Sequence, residues 1–154
     1  MIIHSEQEML SFAESFAKKL QKPFFEGDKT WASAPERPEK NGFGVLELIG
    51  DVGAGKTTFV RGLAKGLGIK EPITSPSFTI SKSYPLKNGG FLVHYDFYRL
   101  PDPGIMLDDL QENLQDPKNI IVIEWGESVA DILPENRTII KINQTSNYRI
   151  LDIK

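Results

Sequence analysis

Residues Gly50-Asp51-Val52-Gly53-Ala54-Gly55-Lys56-Thr57 spell G-x-x-x-x-G-K-T, a spacing suited to gripping a chain of phosphates. Glycines let main-chain N–H groups converge on an anion with no Cβ in the way. A helix beginning at Lys56 adds further donors and a partial positive charge. The Lys56 ammonium can reach the β- and γ-phosphates, and the Thr57 hydroxyl can ligate Mg²⁺. A nucleoside triphosphate is the expected ligand.

Mg²⁺ prefers an octahedron of oxygens, commonly one or two carboxylates with phosphate and water. Asp96 and Glu124 are the candidates. They follow the apolar runs Phe91-Leu92-Val93-His94-Tyr95 and Ile120-Ile121-Val122-Ile123, and ligands gather at the carboxyl ends of strands in open α/β sheets. Ser75, Ser77 and Thr79 offer hydroxyls that either sense a γ-phosphate or serve the ordinary turn chemistry of Ser-Pro-Ser. His94, set in an apolar strand, reads as a packed core histidine rather than a base. Arg99 either clamps phosphate or pairs with a carboxylate. Trp125 is either core or a platform beside the nucleotide.

The elements that must position these groups follow from pattern. Ser5 and Glu8 have the spacing of a capping box, and Met9, Ala13, Phe16 and Leu20 recur at helical spacing behind it. An amphipathic helix is expected over 6–20. Residues 23–44 hold three prolines and three glycines and read as a long surface loop or insertion, assigned to 24–43. A strand over 45–49 leads into the glycine loop. Phe59, Val60, Leu63, Ala64 and Leu67 stripe the helix that leads out of it, with Gly68 as a C-terminal stop. Alternation over 78–84, the turn Lys87-Asn88-Gly89-Gly90 and the run 91–95 predict a β-hairpin. A weak helix is expected over 104–114, a buried strand over 119–123, a short helix over 127–133 and closing strands over 138–142 and 148–153. The sum is an α/β domain spanning 1–154, with three layers and a central mixed β-sheet flanked by helices.

Composition bounds the function. The net charge is −3, so no overall basic character suggests direct binding to DNA or RNA. There is no cysteine and there are two histidines, which excludes disulfides and leaves little for zinc. No apolar run approaches a membrane span and no signal-peptide pattern is present, so a cytoplasmic protein is expected.

Four segments occur in order: Gly50 to Thr58, Ser75-Pro76-Ser77-Phe78-Thr79, His94-Tyr95-Asp96-Phe97-Tyr98-Arg99-Leu100, and Ile123-Glu124-Trp125-Gly126-Glu127. Together they resemble the TsaE (YjeE) family, the small bacterial P-loop ATPases of tRNA threonylcarbamoyladenosine biosynthesis. The resemblance covers nearly the whole chain. It implies a P-loop NTPase-like fold, ATP and Mg²⁺ as cofactors, and weak ATPase activity. It also implies TsaD and TsaB as partners, which carry out the transfer to tRNA, so that contact with tRNA is indirect. Carried over by motif, Gly53, Ala54, Gly55, Lys56, Thr57 and Thr58 hold the phosphates, Thr57 and Glu124 ligate Mg²⁺, and Asp96 supports or joins that shell. Lys56, Asp96 and Glu124 are the residues expected to carry catalysis. Ser75, Ser77, Phe78 and Thr79 form the switch-like loop, and Glu6 and Arg149 match positions near the nucleotide. The family usually has Ser-Pro-Thr-Phe where this chain has Ser77, which keeps the hydroxyl and loses the β-branch. The 24–43 stretch is longer than the family's usual link and reads as an inert insertion rather than a partner contact, since long surface insertions cost little.

Two other classes stand as alternatives. A small P-loop kinase acting on a metabolite would need an arginine-bearing lid. The arginines after the loop helix are Arg99, Arg137 and Arg149, without clustering. A nucleotide-dependent binding module would hold the ligand without turnover.

Overall fold

The structure, a computed structural model, describes residues 1–25 and 44–154, with side chains in the first stretch as far as Leu20. Strand β1 (Ile2–Ile3) precedes helix α1 (Glu6–Phe25). The capping box forms as expected. The Glu8 N–H donates to Ser5 Oγ at 3.1 Å, and Glu8 Oε2 accepts the His4 N–H at 2.7 Å. Helix α1 runs on to Phe25, past the expected end at Leu20. The remainder of the expected 24–43 loop lies outside the described residues.

Strand β2 (Val45–Ile49) enters the glycine loop and helix α2 (Lys56–Gly66) leaves it. The hairpin is β3 (Ser81–Pro85) with β4 (Phe91–Asp96). Helix α3 (Ile105–Gln115), strand β5 (Ile120–Glu124), a 3₁₀ segment (Gly126–Ile132), and strands β6 (Thr138–Gln144) and β7 (Arg149–Ile153) complete the order. Among the described residues the strands form one seven-stranded sheet in the order β1-β7-β6-β2-β5-β4-β3. Strands β6, β2, β5 and β4 run parallel to their neighbours in that row, while β1–β7, β7–β6 and β4–β3 are antiparallel. The sheet is mixed, as expected.

Side-chain alternation along each central strand makes the three layers. Leu46, Leu48, Leu92, Val122, Ile140 and Ile142 point to one face and are buried with Met9, Ala13, Phe59 and Leu63 of α1 and α2. Val45, Val93, Tyr95, Ile121 and Ile123 point to the other and are buried with Leu110, Val129 and Leu133. Helices α1 and α2 approach closely because glycines line the crossing. A Cβ on Gly62 would sit 2.5 Å from Leu10 O and 2.7 Å from Ala13 Cβ. This contact fixes α2, and with it the glycine loop, against α1.

Two expectations need correction. The strand expected over 78–84 starts at Ser81, and residues 77–79 form a turn in which the Ile80 N–H donates to Pro76 O at 2.7 Å. Ile80 adopts a φ of 66°, uncommon for a β-branched residue, and this reverses the chain before the strand begins. The short helix expected over 127–133 is a 3₁₀ segment one residue earlier. No helix among the described residues is long and apolar enough to cross a membrane.

Candidate functional site

The glycine loop joins the carboxyl end of β2 to the N-terminus of α2. Gly53 and Gly55 have φ values of +83° and +110°, a region that L side chains rarely adopt. A Cβ at Gly53 would meet nothing, so the backbone conformation rather than crowding requires glycine there. Lys56 opens α2 and is buried. Its Nζ donates to Gly50 O at 2.7 Å and Asp51 O at 3.0 Å, and lies 3.8 Å from Glu124 Oε2. It also sits over the Trp125 ring, 4.8 Å from the centroid. Thr57 and Thr58 follow in the first turn of α2, both partly exposed.

Sheet register brings the two expected acids side by side. Asp96 is opposite Glu124 where β4 and β5 end, and Glu124 is opposite Leu48, one residue before β2 ends. Both carboxylates are buried. Their contacts differ. Glu124 faces Lys56 through Oε2, and its Oε1 lies 2.8 Å from His94 Nε2. Asp96 is turned to the 75–79 loop: Ser77 Oγ donates to Oδ2 at 2.8 Å, Ser75 Oγ reaches the same oxygen at 3.4 Å, and Oδ1 accepts the Tyr98 N–H at 2.9 Å. The Asp96 N–H donates to Ile80 O at 2.8 Å, so the loop is stitched to the strand end by main chain as well. Phe78, at the tip of the turn, is fully exposed.

Backbone outliers cluster here. Ile80, Arg99 and Trp125 have positive φ: the Ile80 carbonyl accepts the Asp96 N–H, Arg99 lies three residues after Asp96, and Trp125 follows Glu124 directly. Trp125, left open by sequence as core or platform, packs on Tyr98 with ring centroids 4.9 Å apart, and the Arg99 guanidinium lies 4.9 Å from the Tyr98 ring. Arg99 thus stacks on an aromatic ring. Among the described residues no cluster of three or more His, Asp or Glu side chains forms a protein-only metal cage. A hydroxyl with carboxylates is instead the donor set that suits Mg²⁺ shared with phosphate and water.

Glu6 and Arg149 approach the loop from the opposite end. With Met9, Gly55 and Thr58 they line a small open pocket. Arg149 Nε donates to Ala54 O at 2.8 Å, which ties the last strand to the loop. Glu6 lies 3.8 Å from Arg61 Nη1, with both side chains half exposed or more.

Comparison with known proteins decides the family. The family model for threonylcarbamoyl adenosine biosynthesis protein TsaE matches residues 3–151. This chain belongs to the TsaE family. The tRNA threonylcarbamoyladenosine biosynthesis protein TsaE of Streptomyces coelicolor is 42% identical over 101 residues, covering 65% of this chain and 68% of that protein. The Treponema pallidum TsaE is 44% identical over 99 residues, covering 64% and 71%. The Bacillus subtilis TsaE is 41% identical over 107 residues, covering 67% of this chain and 63% of that protein. The crystal structure of Bacillus subtilis YdiB superposes with a TM-score of 0.66 at 30% identity, covering 98% of this chain and 80% of that one. The TsaE fold is P-loop NTPase-like, and the resemblance read from four segments is borne out at the level of family and fold.

His94 does more than its apolar strand predicts. It is a core residue, as expected, yet it is also a partner of Glu124. The usable signal was phase: Leu92, His94 and Asp96 share one face of β4, and Leu92 is packed with the face that carries α2 and the glycine loop.

Proposed function

We propose that this TsaE-family chain is a P-loop ATPase that binds ATP with Mg²⁺, hydrolyses it slowly, and serves tRNA threonylcarbamoyladenosine formation as the ATPase partner of TsaB and TsaD. The observation that carries the reading is the Lys56 ammonium, held inside the glycine loop 3.8 Å from Glu124 Oε2. That arrangement places a phosphate-seeking cation and an oxygen donor at the mouth of a helix N-terminus.

The chain's own groups divide the work. Main-chain amides of Gly53 to Thr58 donate to the phosphates, and Lys56 exchanges its loop carbonyls for phosphate oxygens. Thr57, Glu124 and Asp96 would hold Mg²⁺, which would supply positive charge against the phosphate oxygens during transfer to water. Glu6 and Arg149 flank the nucleotide at the pocket they share. Ser75, Ser77, Phe78 and Thr79 form the element whose order responds to the ligand, because two of its hydroxyls rest on Asp96. Hydrolysis without a bound acceptor suits a chain whose later arginines form no lid, which supports an ATPase over a metabolite kinase.

Calorimetry of the purified protein with ATP and Mg²⁺, followed by phosphate release with and without TsaB and TsaD, tests the proposal. Saturable uptake and slow release that the partners stimulate are expected. Absence of nucleotide uptake by folded protein overturns it. Transfer to a small acceptor would establish the kinase, and binding without release the non-hydrolysing module.

A further inference from the structure

His94 and Glu124 are fully buried or nearly so, at 0% and 4% side-chain exposure, with Nε2 and Oε1 2.8 Å apart. The other ring nitrogen, Nδ1, is buried and has no hydrogen-bond partner among the described residues. This asymmetry fixes where the ring proton belongs. A proton on Nδ1 alone would bury an N–H with no acceptor and set the Nε2 lone pair against a carboxylate oxygen. A proton placed on Glu124 instead would send the ring proton to the same orphaned Nδ1. With the proton on Nε2 the ring donates to Oε1, and a bare lone pair is all that remains unpaired.

We infer that His94 is a positioning residue for Glu124: its Nε2–H fixes Oε1, so that Oε2 is presented to Lys56 and the glycine loop. A glutamate has three rotatable side-chain bonds, and Lys56 at 3.8 Å is too distant for a short hydrogen bond that would orient it alone. The rigid ring, locked in β4 beside β5, supplies the missing constraint. Partners of this kind, which orient a metal-binding side chain without touching the metal, typically change metal affinity or activity by about 10–100-fold when removed. The inference rests on the proposed role of Glu124 at Mg²⁺, and the measurements separate the two.

Nitrogen-15 NMR of the histidine side chains in the nucleotide-free full chain reads the tautomer directly, with His94 assigned by loss of its signals in His94→Gln. The Nε2–H form is expected, and an Nδ1–H form overturns the inference whatever the metal does. Calorimetric ATP affinity with Mg²⁺ and with EDTA is then compared across variants. Wild type gains affinity from Mg²⁺. His94→Phe loses about 10–100-fold of that gain, while its affinity in EDTA stays within about twofold. His94→Gln, whose amide N–H₂ can occupy the Nε2 position, recovers most of it. A full Mg²⁺ gain in His94→Phe sinks the positioning role and leaves the proposed function intact. No Mg²⁺ gain in wild type sinks the metal site, and this inference with it. If His94→Phe fails to fold, His94→Asn, whose shorter amide cannot reach Glu124, decides in the same way.

Discussion

Ser77 Oγ donates to Asp96 Oδ2 at 2.8 Å across 19 residues of sequence, so the loop that follows α2 is tethered to the end of β4. Ser75 Oγ lies 2.7 Å from Ser77 Oγ and joins the same network. A hydrogen bond to a charged acceptor contributes about 1.5–3 kcal/mol when shielded, and less where, as here, the acceptor is buried but the donor serine is exposed. Ser77→Ala is expected to raise amide exchange at Thr79 and Ile80, whose N–H groups close the turn onto Pro76 O, by roughly tenfold. Ser77→Thr, which keeps the hydroxyl, should leave exchange close to wild type. Unchanged exchange in Ser77→Ala would show that main-chain bonds alone order the loop.

Tyr95 gives the fold a specific alkaline limit. Its hydroxyl donates to Asp109 Oδ2 at 2.6 Å and accepts Asn113 Nδ2 at 2.9 Å, tying α3 to β4. Burial, reinforced by the Asp109 carboxylate, pushes the phenol well above its ordinary range. A group whose folded value is raised contributes stability that is fully present below the unfolded value, about 10 for tyrosine, and lost as pH rises beyond it. Denaturation midpoints should therefore hold through neutral pH and fall above about pH 10. Tyr95→Phe should lower stability by about 1 kcal/mol at pH 7 and flatten that alkaline fall. An equally steep fall in the variant would assign it to other groups.

Much of this was legible in the chain, and the failures have physical reasons. The loop from Gly50 to Thr57 and the runs ending at Asp96 and Glu124 were readable because apolar runs and glycine spacing are local signals. Strand β1 was not, since Ile2–Ile3 is too short to show a period. The stretch from Phe78 to Ile80 kept a strand's alternation while forming a turn, because periodicity is blind to a single positive φ. Phe78, which alternation would have buried, is instead exposed. His94 and Glu124 are 30 residues apart in sequence, and only the parallel pairing of β4 with β5 brings them together. No spacing within either strand encodes that neighbour.

Gly62 tests how the helical layer supports the site. An added Cβ would lie 2.5 Å from Leu10 O and 2.7 Å from Ala13 Cβ, distances that require α1 and α2 to part. Overpacking of this kind typically costs about 1–3 kcal/mol, against a gain in helix propensity of up to about 1 kcal/mol for Gly→Ala. Gly62→Ala should therefore be net destabilising in urea, despite alanine being the better helix former. A stabilised variant would mean that the helices separate freely.

Lys56 carries the sharpest expectation for ligand binding. Its Nζ uses two carbonyls of its own loop as acceptors, Gly50 O and Asp51 O, and both are neutral dipoles. The ammonium already makes those bonds charge-assisted, and a phosphate oxygen adds the attraction of opposite charges that a carbonyl lacks. Exchange of the carbonyls for phosphate is downhill, and the Trp125 ring beside the ammonium keeps it desolvated on one side. Lys56→Met retains most of the side-chain volume in this buried position while removing the charge. ATP affinity should fall by about 10–100-fold, the equivalent of one charged hydrogen bond at 1.5–3 kcal/mol, and thermal unfolding should come earlier, because the buried Glu124 carboxylate loses its cationic neighbour. The loss should persist in EDTA, because the lysine acts on phosphate and not through the metal. That separates it from Glu124→Gln, whose defect should appear only when Mg²⁺ is present. Equal loss in both variants with and without Mg²⁺ would show that the two side chains serve one structural unit rather than two chemical roles.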